Sequence, residues 1–121
     1  MRIINLTQHS ATDDQIAAGV FDHPSAGYIR KLLTFDTLPD GMTIVSKAVT
    51  LACQAVAYGA DCAMIGGAPY LMATLERALI EHGITPVYAF SVLESVETVQ
   101  QDGSVVKTAV FKHAGFVEVS A

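Results

Sequence analysis

Ala60 to Met72 constrains this chain more than any other stretch. Ala63, Met64 and Ile65 form an apolar run too short for a helix, Gly66-Gly67 follow, and Pro69 opens a segment of helical periodicity. Glycine takes backbone conformations closed to other residues. Proline is tolerated in a first helical turn, where the N–H it lacks would have no partner. The stretch therefore reads as a buried strand, a tight turn and a helix start. That succession places unpaired helix N–H groups at the carboxyl edge of an open α/β sheet, where ligands bind.

The flanking sequence extends the pattern. Arg2 to Leu6 reads as a first strand and Thr7 to Ala11 as a polar turn. Thr12-Asp13-Asp14-Gln15 has capping-box spacing, with Asp13 and Asp14 at the positive end of a short helix that Gly19 closes. Val20 to Asp22 reads as a brief strand, and His23-Pro24 stops any helix. Ser25 can cap a helix from Ala26 to Leu33 that turns Tyr28, Ile29, Leu32 and Leu33 inward and Arg30 and Lys31 outward. Thr34 to Gly41 is a loop. Met42 to Tyr58 is the longest periodic segment, with Ile44, Val45, Ala48, Val49, Ala52, Val56 and Ala57 expected on the inner side. Gly59 stops it.

Tyr70 to His82 predicts another helix, closed by Gly83, and Pro86 to Val92 a third core strand that ends in a turn at Ser91 to Ser95. Glu97 to Gln101 and Ser104 to Phe111 flank Asp102-Gly103, a hairpin signal, and Gly115 to Val119 suggests one more short strand. The expectation is one α/β domain over residues 1–121. It has three layers, a mostly parallel central sheet and a C-terminal β-hairpin extension.

With 51% hydrophobic and 16% charged residues in 121, the chain has a full core and a sparsely charged surface. A domain this small has much surface to keep wet, so a homodimer is expected. The net charge of −5 argues against broad contact with a nucleic-acid backbone, which needs clustered Lys and Arg. A small anion held by backbone N–H groups stays compatible. Cys53 and Cys62 read as small core residues. The start lacks the pattern of a secretory signal and no apolar stretch reaches a membrane span, so the expected location is the cytoplasm.

Three bends are expected at one sheet edge: Gln8-His9-Ser10, Gly66-Gly67-Ala68, and Ser91 to Ser95. His9 can act as general acid or base near neutral pH, with Ser10 or Ser91 orienting a substrate. Equally, Gln8 and His9 can hold the turn through loop backbone. Gly66 and Gly67 can cradle phosphate or serve close strand–helix packing. Tyr70 can stack on a base or cover the turn. Glu94 is either a partner for His9 or a solvated carboxylate. His82 and His113 read as surface residues and His23 as a turn residue. The glycines match neither a Walker loop nor the dinucleotide fingerprint. No Gly-x-Ser-x-Gly elbow or metal-ligand spacing is present, and no metal or cofactor is expected.

Ile3-Ile4-Asn5-Leu6-Thr7-Gln8-His9-Ser10-Ala11-Thr12-Asp13-Asp14-Gln15 resembles the opening of small CRISPR-associated Rossmann-like proteins. In those, an Asn-rich strand ends near a His and leads into a Thr-x-x-Gln helix start. The strand before Gly66, the helix after it and the late strands follow the same layout. The resemblance implies a Rossmann-like fold and a place in antiviral defence. It also implies binding or metal-independent cleavage of cyclic oligoadenylates, as in ring nucleases. His9 and Ser10 would then lie at the ligand edge, Gly66 and Gly67 would approach phosphate, and the ligand's own 2′-hydroxyl would be the nucleophile. The chain departs from this in having no Lys or Arg in the three bends. Arg30 and Lys31 supply charge only if their helix, or a partner subunit's, folds over the edge. The alternative is a non-catalytic interaction or regulatory module, phage- or defence-associated.

Overall fold

A computed structural model describes residues 1–120. In chain order the elements are β1 (Ile3–Leu6), α1 (Asp13–Ala17), β2 (Val20–Asp22), α2 (Ala26–Leu33), α3 (Gly41–Ala57), β3 (Cys62–Ile65), α4 (Pro69–Glu81), β4 (Thr85–Val99) and β5 (Val105–Glu118). They build an α/β domain around a five-stranded sheet of order β2-β1-β3-β4-β5. The first four strands are parallel and β5 runs antiparallel to β4.

Local signals fix the helix ends. Thr12 and Gln15 form the reciprocal capping box at α1. Asp40, inside what reads as loop, caps α3 by accepting from the Thr43 amide at 2.7 Å. The hydrogen bond from the Thr43 amide holds the Asp40 carboxyl below its ordinary range. Helices α3 and α4 close alike: Gly59 at φ +68 and Gly83 at φ +75 take the left-handed position. The next amides then reach back, Ala60 to the Ala55 carbonyl at 3.0 Å and Ile84 to that of Leu79 at 2.9 Å.

The main core lies on one face of the sheet, where Ile4, Leu6, Ala63 and Ile65 meet Ile29 and Leu33 of α2, Leu51 of α3, and Leu71, Leu75 and Leu79 of α4. The other face carries a smaller cluster, Ile3, Val20, Cys62, Met64 and Val87, with Ala11 and Phe116 packed on it. Its covering layer is thin, because α1 has five residues and buries none of them fully.

Four expectations change at this level. The inner side of α3 is Ala48, Leu51, Ala52 and Ala55, while Val45, Val49 and Val56 face out. The alanines let the helix sit close to its neighbours, and the valines, just as apolar, are left on the outer side. Cys53 is exposed; only Cys62 is a core residue, its thiol pushed up first by burial and then by the Glu118 and Asp61 carboxylates. His23 is a core residue: it is 6% exposed, its Nδ1 accepts from the Ser25 amide at 2.9 Å, and its Nε2 lies 2.9 Å from Gln54 Oε1.

The largest change concerns the last third. There is no turn at Ser91 to Ser95. β4 runs on for 15 residues, and the two segments expected on the return path are one 14-residue strand. A bulge at Ala114 interrupts the pairing between Phe90↔Gly115 and Ser91↔His113. The signal at Asp102-Gly103 is real: the Gly103 amide donates to the Gln100 carbonyl at 3.0 Å and Gly103 takes φ +85. Beyond Tyr88 the ribbon leaves the body, and most of its residues are exposed.

Candidate functional site

The site begins with strand order. From β1 the chain passes to β2 on one side, and from β3 it passes to β4 on the other. Right-handed crossovers send connections of opposite direction to opposite faces of a sheet, and Ala11, leading into α1, does pack on the smaller cluster. The loops after β1 and β3 therefore diverge and leave a crevice at the carboxyl ends of the strands. An open cleft of about 600 Å³ lies there, within the range of small-ligand sites. Gln8, His9 and Ser10 form one side, Gly66 and Gly67 another, and Tyr88 and Ala89 close the β4 side over a floor of Met64 and Ile65.

The bend after β1 is built by Asn5. The residue is 5% exposed and lies in the otherwise apolar strand Ile3–Leu6. Its amide nitrogen donates to the His9 carbonyl at 2.7 Å and to Asp22 Oδ1 at 2.8 Å. Its oxygen accepts from the Thr7 amide at 3.0 Å and the Thr7 hydroxyl at 2.7 Å. Those four bonds use the whole capacity of a primary amide. Asp22, at the end of β2, also accepts from the Ala11 amide at 3.1 Å and fixes the far end of the bend. Gln8 ties the near end to α2, donating to Thr34 Oγ1 at 3.2 Å. The backbone is thus pinned on both sides of His9, whose imidazole stays exposed beside Ser10.

The bend after β3 needs glycine at one position. Gly67 has φ +151, which an L side chain rarely adopts, although a Cβ there would find room 3.6 Å from Met72 Cε. Ala68 follows as the N-cap of α4 with no side-chain acceptor, and Pro69 opens the helix. The positive end of α4 therefore sits beside the cleft. Tyr88 donates to Glu76 Oε2 of α4 at 2.6 Å, and burial followed by this bond pushes its phenol well above the ordinary range.

Of the residues singled out in the sequence, Gln8, His9, Ser10, Gly66 and Gly67 meet in the cleft. Ala68 stands behind its glycine side. Tyr70 does not line it; its ring packs edge-on against Phe35, with centroids 5.2 Å apart. Ser91 and Glu94 are outside it, on the ribbon, where Ser91 pairs with His113 and Glu94 lies 4.0 Å from Lys112. The residues not singled out are Asn5, Thr7, Asp22 and Tyr88. Asn5 had a signal, a lone amide within an apolar strand. Arg30 answers the missing charge in part: with Asn5, Thr7, His9 and Ser10 it lines a small depression adjoining the cleft. Lys31 lies elsewhere, around the loop that leads into α3. Among the described residues, no three His, Cys, Asp or Glu side chains are grouped to hold a metal ion.

Compared with known proteins, residues 1–117 match the model of a family described as Uncharacterized protein MJ1673 family. No curated protein and no solved structure matches.

Proposed function

The chain belongs to the MJ1673 family, and we propose that its members of this build bind a small nucleotide-like anion in the cleft between the Gln8–Ser10 and Gly66–Gly67 bends. The observation that carries this is the adjacency of the two bends at the point where strand order reverses, with Arg30 on the flank of His9. The sheet order, with ligand groups at the β1/β3 divide, supports a Rossmann-like description of the fold. The α4 N-terminus and the Gly67 backbone suit phosphate, and Arg30 supplies the positive charge that the bends lack.

The resemblance to ring nucleases extends the proposal to metal-independent cleavage of cyclic oligonucleotides. In that reaction the 2′-oxygen bonds to the neighbouring phosphorus while the P–O5′ bond breaks. The 2′-hydroxyl proton leaves and the 5′-oxygen gains one. His9 is the group of the right kind to move those protons, and Ser10 the group to orient the phosphate. Incubation with mononucleotides and cyclic oligonucleotides tests both halves. A ligand at 100-fold excess over its Kd should stabilise the fold by about 2.7 kcal/mol. Arg30→Ala and Gly67→Val should abolish the shift, and His9→Ala should abolish product while leaving the shift. No shift with any nucleotide overturns the proposal.

A second reading has one specific observation in its favour. The exposed β4–β5 ribbon is what an interaction or regulatory module would present, and in that reading the cleft is structural. Absence of any ligand shift favours it.

A further inference from the structure

The ribbon from Ala89↔Phe116 to Val99↔Val105 contains eleven registered pairs, so it projects roughly 35 Å at about 3.4 Å per pair. An isolated two-stranded hairpin is marginal in water, and this one leaves large apolar groups uncovered: Leu93 is 63% exposed and Phe111 79%. Its outer edge, β5, is long and free of proline. Such edges invite pairing unless something covers them. We propose that the ribbon is a dimerisation arm and that a second copy of this chain packs on the face bearing Leu93 and Phe111, bringing the tip of each arm to the cleft of the other subunit.

Charge permits a second copy as the occupant, and the relief of the face selects it. The chain carries −5 overall, so two copies repel unless they meet on neutral surface. The arm is that surface. Glu97 pairs with Lys107 at 3.7 Å and Glu94 with Lys112 at 4.0 Å, which leaves Asp102 in the turn as the one remaining carboxylate between Ser91 and Val117. The relief along the face is also complementary to itself. The large pair Leu93↔Phe111 is followed two residues along by the small pair Ser95↔Ala109. A two-fold axis running across the ribbon, level with Glu94, seats each large pair on the partner's small pair, β4 over β4 and β5 over β5. The same operation sets the Glu97–Lys107 pair opposite Ser91 and His113, whose Nδ1 is buried without a hydrogen-bond partner in the single chain. It also sets the Val99↔Val105 tip over Ala89↔Phe116. Ala89 is a wall of the cleft, so the Gln100–Ser104 turn of one copy arrives at the mouth of the other's site. Leu93, Val99, Val105 and Phe111 are the exposed large apolar side chains of this face, two at its middle and two at its tip.

Light scattering on size-exclusion fractions and sedimentation equilibrium test this on the full chain. The expected mass is twice 12.8 kDa over a wide concentration range. Phe111→Glu and Leu93→Glu should give monomers with unchanged far-UV circular dichroism. Ser95→Arg, which removes no apolar group and only fills the recess, should also give a monomer. Val45→Glu, on the exposed side of α3, should stay dimeric. A monomeric native chain overturns the proposal. So does a dimer that survives Ser95→Arg together with either glutamate variant, or one that Val45→Glu dissociates.

Discussion

Asn5 commits each of its amide donors and acceptors to the bend that presents His9. Removing it leaves the Thr7 amide without its acceptor and takes from Asp22 one of its two donors, in a part-buried setting. Asn5→Ala should therefore cost about 1–3 kcal/mol, read as a lower urea midpoint at unchanged slope. Tyr88 adds a pH signature. Its phenol is raised above the ordinary 10.0 by burial and by donation to Glu76. A raised folded value means the contribution is complete below the ordinary one and is lost as pH rises toward the folded one. The stability advantage of the native chain over Tyr88→Phe should be constant through neutral pH and shrink above pH 10, measured by urea unfolding at each pH. At this scale the sequence disclosed residue types better than partners. His9 and Gly67 stand out by chemistry, but nothing local reveals that Asp22, seventeen positions after Asn5, completes its hydrogen bonds.

Elements were legible where the chain punctuates itself. Gly19, Gly59, Gly83 and the Thr12–Gln15 box mark ends that the backbone honours. The glycines are not equivalent. Gly59 has φ +68 and open space around a Cβ, while Gly19 has φ +108 and its Cβ would run into the Met1 carbonyl oxygen. Gly59→Ala should cost about 1–2 kcal/mol for left-handed backbone alone. Gly19→Ala should cost more, and the order of the two thermal midpoints checks it. Periodicity was less informative where both sides of a helix are apolar, which is why Val45, Val49 and Val56 of α3 look inward in the sequence and outward in the fold. Ser91 to Ser95 misleads for a related reason. Ser91, Glu94 and Ser95 around Val92-Leu93 look like a turn between core strands, yet the ribbon pairs its strands outside the core of the body.

For the molecule as a whole, body and arm are separable. Neither core cluster includes a residue between Phe90 and Gly115, so the body does not depend on the distal ribbon for its packing. Replacing Val92–Phe111 by a short turn should leave a cooperatively melting α/β body, with a thermal midpoint close to that of the native chain when both are monomeric. Calorimetry on the shortened chain checks this. Broad, non-cooperative melting would show that the ribbon is part of the folding unit. The cleft should survive in the same variant, because its walls end at Ala89.

Ala114 separates two properties of the ribbon that usually travel together. Being supernumerary, it lets Phe116 and Phe111, an odd number of positions apart, look the same way. Its deletion restores an unbroken ladder with every cross-strand partner retained, and only the local bend is lost. The arm's bearing can therefore drift over generations, or be steered by design, while the stripe it displays stays constant.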